Sequence, residues 1–277
     1  MRQHVSQFGL SVVTGASSGT GAALARRLHA EGVELIVVGR DPDRTARVGA
    51  ELGVPHLVAD FSRLGDVRRL AADILARTPA VDILFANAGG ATTSVALTED
   101  GNEPNYQINA LAPFLLETLL RPALGKRIVA TSSRSHDAAV LAADSVTAQL
   151  DDPGRLSAHQ RYARAKLAAL LLHEELRRRH PDVPIVDVHP GLVATDFGRY
   201  LGRTGAVLKV LARPVLSSPW TAAGHLLRAA TADLTGGAYF HRDRPGRPSQ
   251  LLQDRRLSDA VWQDAVARLE SSAVEGA

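Results

Sequence analysis

Six short apolar runs, spaced along the first two-thirds of the chain, constrain its fold more than any other feature. They are LSVVT (Leu10–Thr14), ELIVVG (Glu34–Gly39), HLVAD (His56–Asp60), VDILFA (Val81–Ala86), RIVATS (Arg127–Ser132) and PIVDVH (Pro184–His189). They are rich in Val and Ile and mostly continuous, not alternating. That pattern belongs to parallel strands covered on both faces. AYF (Ala238–Phe240) fits a last strand. Between the runs lie helical patterns: Gly21–Gly32, Asp66–Arg77, Asn105–Leu120 with a kink expected at Pro113, and Tyr162–Arg179. Repeated strand–helix–strand units imply right-handed crossovers. The predicted fold is an α/β, Rossmann-type, doubly wound parallel sheet of about seven strands with helices on both faces. No linker or repeat divides it, so residues 1–277 read as a single domain.

Composition narrows the function. Cysteine is absent, which excludes disulfides, thiolate nucleophiles and Cys-ligated metals, and no metal site is expected. The net charge is only +3, the arginines are interleaved with acids, and aromatics are 4%. A nucleic-acid binder would cluster its basic residues. No signal peptide and no run of about 20 apolar residues is seen, so a cytoplasmic protein without a membrane span is expected.

The turn TGASSGTG (Thr14–Gly21) links the first strand to the first helix. Gly15, Gly19 and Gly21 permit a tight turn, and the N–H groups of Ser17, Ser18 and Thr20 would face a pyrophosphate at the helix N-terminus. NAD binders usually carry an acid at the end of the second strand, for the ribose diol. This chain has Gly39–Arg40 there. A guanidinium suits a 2′-phosphate, so NADP(H) is favoured over NAD(H).

In QRYARAKLAAL (Gln160–Leu170), Tyr162 and Lys166 are four residues apart and share a helix face. A nearby ammonium favours phenolate and is expected to lower the phenol pKa. Arg161 and Arg164 fall off that face and read as solvated.

These landmarks, in this order, resemble the short-chain dehydrogenase/reductase family. The resemblance runs from about Leu10 to Phe240. It implies that Asp60, with Phe61 beside it, meets the adenine. It places Asn87-Ala88-Gly89 against the cofactor, and uses Pro190-Gly191-Leu192-Val193-Ala194-Thr195 to cradle the nicotinamide end, through Val193 backbone groups and the Thr195 hydroxyl. It implies a catalytic set of Asn109, Ser133, Tyr162 and Lys166. Tyr162 would exchange a proton with a carbonyl oxygen that Ser133 holds. Lys166 would also hold the nicotinamide ribose, and Asn109 would position a water. Ser132 or Ser135 could replace Ser133, and Asn109 could simply bond backbone. His136, His189 and the tail GGAYFHRDRPGRPSQ are similar to the retinol-dehydrogenase-like branch. His136 could be a pocket wall or an exposed turn residue. His189 reads as packed at a strand end. Ala165 and Ala86 depart from the family's usual serine and asparagine without replacing a catalytic group.

The resemblance further implies a lid over the substrate at about 196–219, strongly apolar with interspersed Arg and Lys. It suggests a lipophilic carbonyl or alcohol, with Thr92, Thr93, Ser94, His136, Phe197 and Trp220 as pocket candidates. The lid's pattern leaves shallow contact with a membrane surface open. A homodimer or homotetramer through the helices of Asn109 and Tyr162 is implied, with Leu167–Leu172 as packing or dimer surface. A long insertion, Ala138–Ala158, has no assigned role, and a disordered tail is expected at about 271–277. Two rivals to the oxidoreductase stay open: a non-enzymatic NADP(H)-binding protein, and a non-redox elimination or cyclisation on the same fold.

Overall fold

The computed structural model describes residues 7–152, 154–193, 217–234 and 238–274. The sheet has eight strands in the order β3-β2-β1-β4-β5-β6-β7-β8. They are β1 (Ser11–Thr14), β2 (Leu35–Gly39), β3 (His56–Val58), β4 (Val81–Ala86), β5 (Leu124–Thr131), β6 (Ile185–His189), β7 (Tyr239–His241) and β8 (Arg244–Pro245). Strands β1 to β7 pair in parallel. The eighth, beyond the seven expected, is a two-residue antiparallel return after a turn in which Arg242 takes a left-handed φ of 61°.

Continuous apolar strands need cover on both sides, and receive it. One face carries α3 (Leu64–Arg77), α4 (residues 104–120) and α6 (Ala158–Arg179). The other carries α1 (Gly19–Ala30), α2 (Pro42–Leu52) and α7 (Pro219–Thr231). Helix α2 starts with Asp41 accepting from the Arg44 N–H, has Pro42 in its first turn, and stops at Gly53 with φ 64°. Those are standard start and stop signals.

The α4 helix is built in three parts: Pro104–Tyr106, a π-turn over Gln107–Leu111 and Ala112–Leu120. The irregularity expected at Pro113 therefore lies one turn earlier, around Asn109. Pro113 itself falls in the first turn of Ala112–Leu120, where it is tolerated.

A final helix, α8 (Arg255–Val274), packs over α6 and α4. Trp262 meets Phe114 edge-on at 5.1 Å, and the Arg179 guanidinium lies 4.6 Å from the Trp262 ring. Residues 271–274, expected to be disordered, thus continue a helix. Leu167, Leu170, Leu171 and Leu172 are at most 1% exposed within one chain, so that run is core packing and not a dimer surface. The insertion Ala138–Ala158 contains α5 (Val146–Leu150) and is docked on α8, with Thr147 Oγ1 donating to Asp264 Oδ1 at 2.7 Å. Among the described residues no helix is long and apolar enough to cross a membrane.

Candidate active site

Strand order reverses between β1 and β4, which opens a crevice beyond their C-terminal ends. The glycine turn and the Asn87–Gly90 segment flank it. Thr14 Oγ1 accepts from the Asn87 and Ala88 N–H groups, each at 3.0 Å, and Asn87 Nδ2 donates to Thr14 O. Asn87 Oδ1 accepts from Thr131 Oγ1 at 3.1 Å. Two threonine hydroxyls and one amide therefore lock the ends of β1, β4 and β5 together.

The turn is shaped for close backbone approach. Gly15 has φ 69°, and a Cβ on Gly21 would sit 2.3 Å from Gly15 O. Ser18 N-caps α1 without a side-chain bond, and the first turn contains no acid. Ser17 packs against Gly39, which puts exposed Arg40 beside this turn. Asp41 caps α2 and pairs with Arg44 at 3.4 Å. Asp60 accepts from the Ser62 N–H and hydroxyl at 2.9 Å, and the Phe61 side chain is in the core.

Helix α6 starts with a capping box, Ser157 with Gln160. It carries Tyr162 and Lys166, 5% and 6% exposed, to the sheet edge. Ser133, at the end of β5, hydrogen-bonds Tyr162. Of the three candidate serines it is therefore the one beside the phenol. Ser132 Oγ is buried with no partner among the described residues, and Ser135 Oγ meets Ser133 Oγ at 3.1 Å.

The phenol does not behave as the spacing predicts. Burial raises Tyr162 to about 12, and the bond from Ser133 opposes this only in part. Lys166 Nζ lies 5.9 Å from the Tyr162 ring centroid and donates to Thr131 O at 2.9 Å. Its pKa is lowered to about 8 by burial, against the raising effect of Asp187 and Glu117. So desolvation decides both shifts, each toward the neutral form.

Asn109 is 2% exposed in the π-turn. Its Nδ2 donates to Gly90 O and Asn105 O, both at 3.0 Å, and its Oδ1 accepts from the Gly90 N–H at 2.9 Å. All three of these side-chain bonds are to backbone. Gly89, with φ 153°, has no room for a Cβ beside Asn109 Oδ1.

Arg161 overturns its expected solvation. It is 4% exposed and its Nη1 meets Glu103 Oε1 at 2.9 Å. It also donates to Ser94 O and Thr93 O. Glu103 accepts from Asn105 Nδ2, and Asn105 bonds the Thr92 backbone on both sides. The predicted pocket loop at Thr92–Ser94 is thus pinned by a buried ion pair. Arg164 is half-buried and donates to Gln149 O.

His136 is fully buried, so neither reading of it as pocket wall or exposed turn holds. Its Nδ1 bonds Ser133 O, and its Nε2 accepts from the Ser249 N–H at 3.3 Å. It buttresses the backbone of Ser133 from behind. His189, 7% exposed, stacks on His241 at 5.2 Å, and burial followed by its cationic neighbours pushes it down to about 4. Trp220 lies on α7, across the sheet from Tyr162, with the Arg27 guanidinium 5.1 Å from its ring. The chain crosses to that face after residue 217, which removes Trp220 from the pocket set.

Gly191 has φ 96°, and Val193 bridges Ser217, so the two ends of the lid segment lie side by side. Thr195, Phe197 and the lid itself, save its last residues, lie outside the described residues.

A second buried group was missed by the sequence reading. His173, on α6, bonds Asp187 Oδ1 at 2.7 Å and Glu117 Oε2 at 3.1 Å, and Arg177 pairs with the other Asp187 oxygen. Asp187 between valines in a buried parallel strand was the available signal, because a lone carboxylate there needs a partner.

The profile of the short chain dehydrogenase family matches residues 10–205. A Streptomyces sp. (strain C5) protein named for daunorubicin C-13 ketoreduction, DnrU, is 35% identical over 274 residues, covering 95% of this chain and 93% of its own. Human retinol dehydrogenase 13 is 29% identical over 281 residues, covering 93% and 83%. A crystal structure of an uncharacterized protein from Mycobacterium Paratuberculosis superposes with a TM-score of 0.74 at 28% identity, covering 95% and 94%. More distant solved structures of this fold hold NAD in one case and NADP in another. The ordered turn, the Ser–Tyr–Lys grouping and these likenesses make the chain a short-chain dehydrogenase/reductase, an oxidoreductase of the retinol-dehydrogenase-like branch.

Proposed function

We propose that this chain is a single catalytic domain that reduces a ketone or aldehyde on a lipophilic small molecule with NADPH, Tyr162 being the acid. The observation that carries the reading is the grouping of Ser133, Tyr162 and Lys166 at the rim of the switch-point crevice. A non-enzymatic dinucleotide binder would have no use for a buried phenol held by a serine beside a buried lysine.

The crevice fits a dinucleotide. Gly15 and Gly21 leave no room for a Cβ, so backbone N–H groups can meet phosphate at the start of α1. Arg40 supports NADP(H), because the nearest carboxylate, Asp41, is engaged by α2 and Arg44. Bound there, NADPH would supply a hydride to the carbonyl carbon. Tyr162 keeps its proton at neutral pH, with its pKa near 12, and gives it to the carbonyl oxygen as the alkoxide forms. Ser133 orients that oxygen, and His136 holds the Ser133 backbone. Asn109 fixes the Gly89–Gly90 backbone facing Lys166. In the reverse reaction Tyr162, as the phenolate, would accept the alcohol proton while the hydride returns to the oxidised cofactor. The names of relatives, a daunorubicin ketoreductase and a retinol dehydrogenase, support a lipophilic carbonyl or alcohol as substrate.

The test follows NADPH absorbance with ketones and aldehydes of rising chain length. Tyr162→Phe is expected to lose about 100-fold or more in kcat, the usual worth of a positioned acid. Turnover equal to the parent would end the mechanism. Efficiency that fails to rise with chain length would end the lipophilic assignment.

A further inference from the structure

Beside Lys166 lies a small cavity of about 20 Å³. Asn109, Glu117, Ser132, Lys166, His173 and Asp187 contribute polar groups to its wall. Two of these are orphans: Glu117 Oε1 and Ser132 Oγ are buried with no hydrogen-bond partner among the described residues. A site that roomy and that polar holds one water, which needs roughly 10–15 Å³ and two to four polar partners. Glu117 Oε1 and Ser132 Oγ can each bond such a water, and Lys166 shares the same wall.

The charges around it balance. Glu117, Asp187, His173 and Lys166 are all at most 6% exposed. With both carboxylates ionised, the imidazolium protonated and the ammonium protonated, the buried set is neutral. Arg177, less buried, covers the outer oxygen of Asp187. Among the described residues, every titratable group facing Lys166 belongs to this set or to the site: Tyr162 and His173 from its own helix, Glu117 from α4, and Asp187 from β6. Isolated charges at this depth are expensive and neutralise instead. The cluster is what allows an ammonium to stay there.

We propose that Glu117, anchored by His173 against Asp187, is a positioning residue that keeps Lys166 protonated across a water bound in this cavity. This goes beyond hydride and proton transfer but rests on the reading of Lys166 as the partner of Tyr162. Two opposing effects follow. Removing the anion at Glu117 disfavours the ammonium, and removing the cation at His173 favours it. A merely structural cluster would not move Lys166 in opposite directions.

The chain has three lysines, Lys126, Lys166 and Lys209, so ¹³C-lysine NMR resolves each Cε, assigned with Lys126→Arg and Lys209→Arg. The measurement needs no turnover, so its failure is separate from failure of the proposed activity. In the parent, Lys166 should titrate near 8. Glu117→Gln should lower that midpoint by about one pH unit or more, a tenfold change in the proton equilibrium. His173→Gln should raise it. Each variant is first checked for a native near-UV spectrum. A fold-independent arm uses the parent alone: ¹⁵N-histidine NMR should find His173 still doubly protonated at pH 8. A neutral His173 at that pH, or a Lys166 midpoint unmoved in a folded variant, overturns the proposal.

Discussion

Arg161→Met keeps the aliphatic stem of Arg161 and removes its guanidinium. In the native fold the charge pairs with Glu103 at 2.9 Å, both side chains being 3% exposed. The change leaves Glu103 ionised and buried with two neutral donors, Asn105 Nδ2 and the Tyr106 N–H. It also strips a donor from Thr93 O and Ser94 O. Breaking a buried pair by removing one partner costs about 3–5 kcal/mol. The two donors left on Glu103 set the expectation near the lower end, about 3 kcal/mol. For a chain of this size that lowers Tm by roughly 6–12 °C. Urea unfolding at constant slope and a thermal melt both read it. Glu103→Gln combined with Arg161→Met removes both charges, and should be at least about 1 kcal/mol more stable than Arg161→Met alone. Because the pair pins the Thr92–Ser94 loop, KM for the carbonyl substrate should rise more than kcat falls. A single variant within about 1 kcal/mol of the parent, or a double variant no better than the single, would refute the argument.

Two further outcomes follow from the site. Arg40→Ser should weaken NADPH binding about 10–100-fold, the worth of a lost charge-assisted bond, and leave NADH unchanged; equal effects on both by titration calorimetry would remove Arg40 from cofactor choice. Carbonyl reduction at saturating NADPH should fall as pH rises through about 8, because Lys166, lowered by burial, is an ammonium only below that point. Tyr162, near 12, keeps its proton throughout, so the limb belongs to Lys166, and a flat kcat profile from pH 7 to 10 would count against it.

The fold was legible where residue type alone decides it. Continuous runs rich in Val and Ile located six strands, because burial on both faces forbids alternation, and AYF located the seventh. Helix α2 was missed although Asp41-Pro42 and Gly53 announce its ends. Strand β8 was invisible because Arg244–Pro245 has no strand character and pairs only through the turn at Arg242. At the site, spacing placed Tyr162 and Lys166 on one face, and family motif placed Ser133. Spacing failed for Arg161, because its partner Glu103 is 58 residues away and stands at the N-cap of another helix. Helical phase shows which way a side chain points, but says nothing of what another element puts there. The same limit misled the Tyr162 reading: the ammonium is beside the ring, and the depth of burial, which a sequence does not print, outweighs it.

His173 shows what phase could still have given. It follows Tyr162 by eleven residues, three turns, so Tyr162, Lys166 and His173 form one stripe along α6. Burial acts on the whole stripe and penalises every charged form alike. The chain answers the penalty unequally. Tyr162 gets a neutral serine, and stays an acid with its proton in place. His173 and Lys166 get Asp187 and Glu117. His173, in direct contact with both carboxylates, rises to about 10, whereas Lys166, without such contact, settles near 8. A lysine poised that close to neutrality answers to small changes in its counter-charge, and a lysine buried with a full ion pair would not. Environments that separate neighbouring titratable groups in this way are how a fold assigns acid and cation to different side chains. Here the assignment depends on two carboxylates from β6 and α4 as much as on the Tyr–Lys spacing.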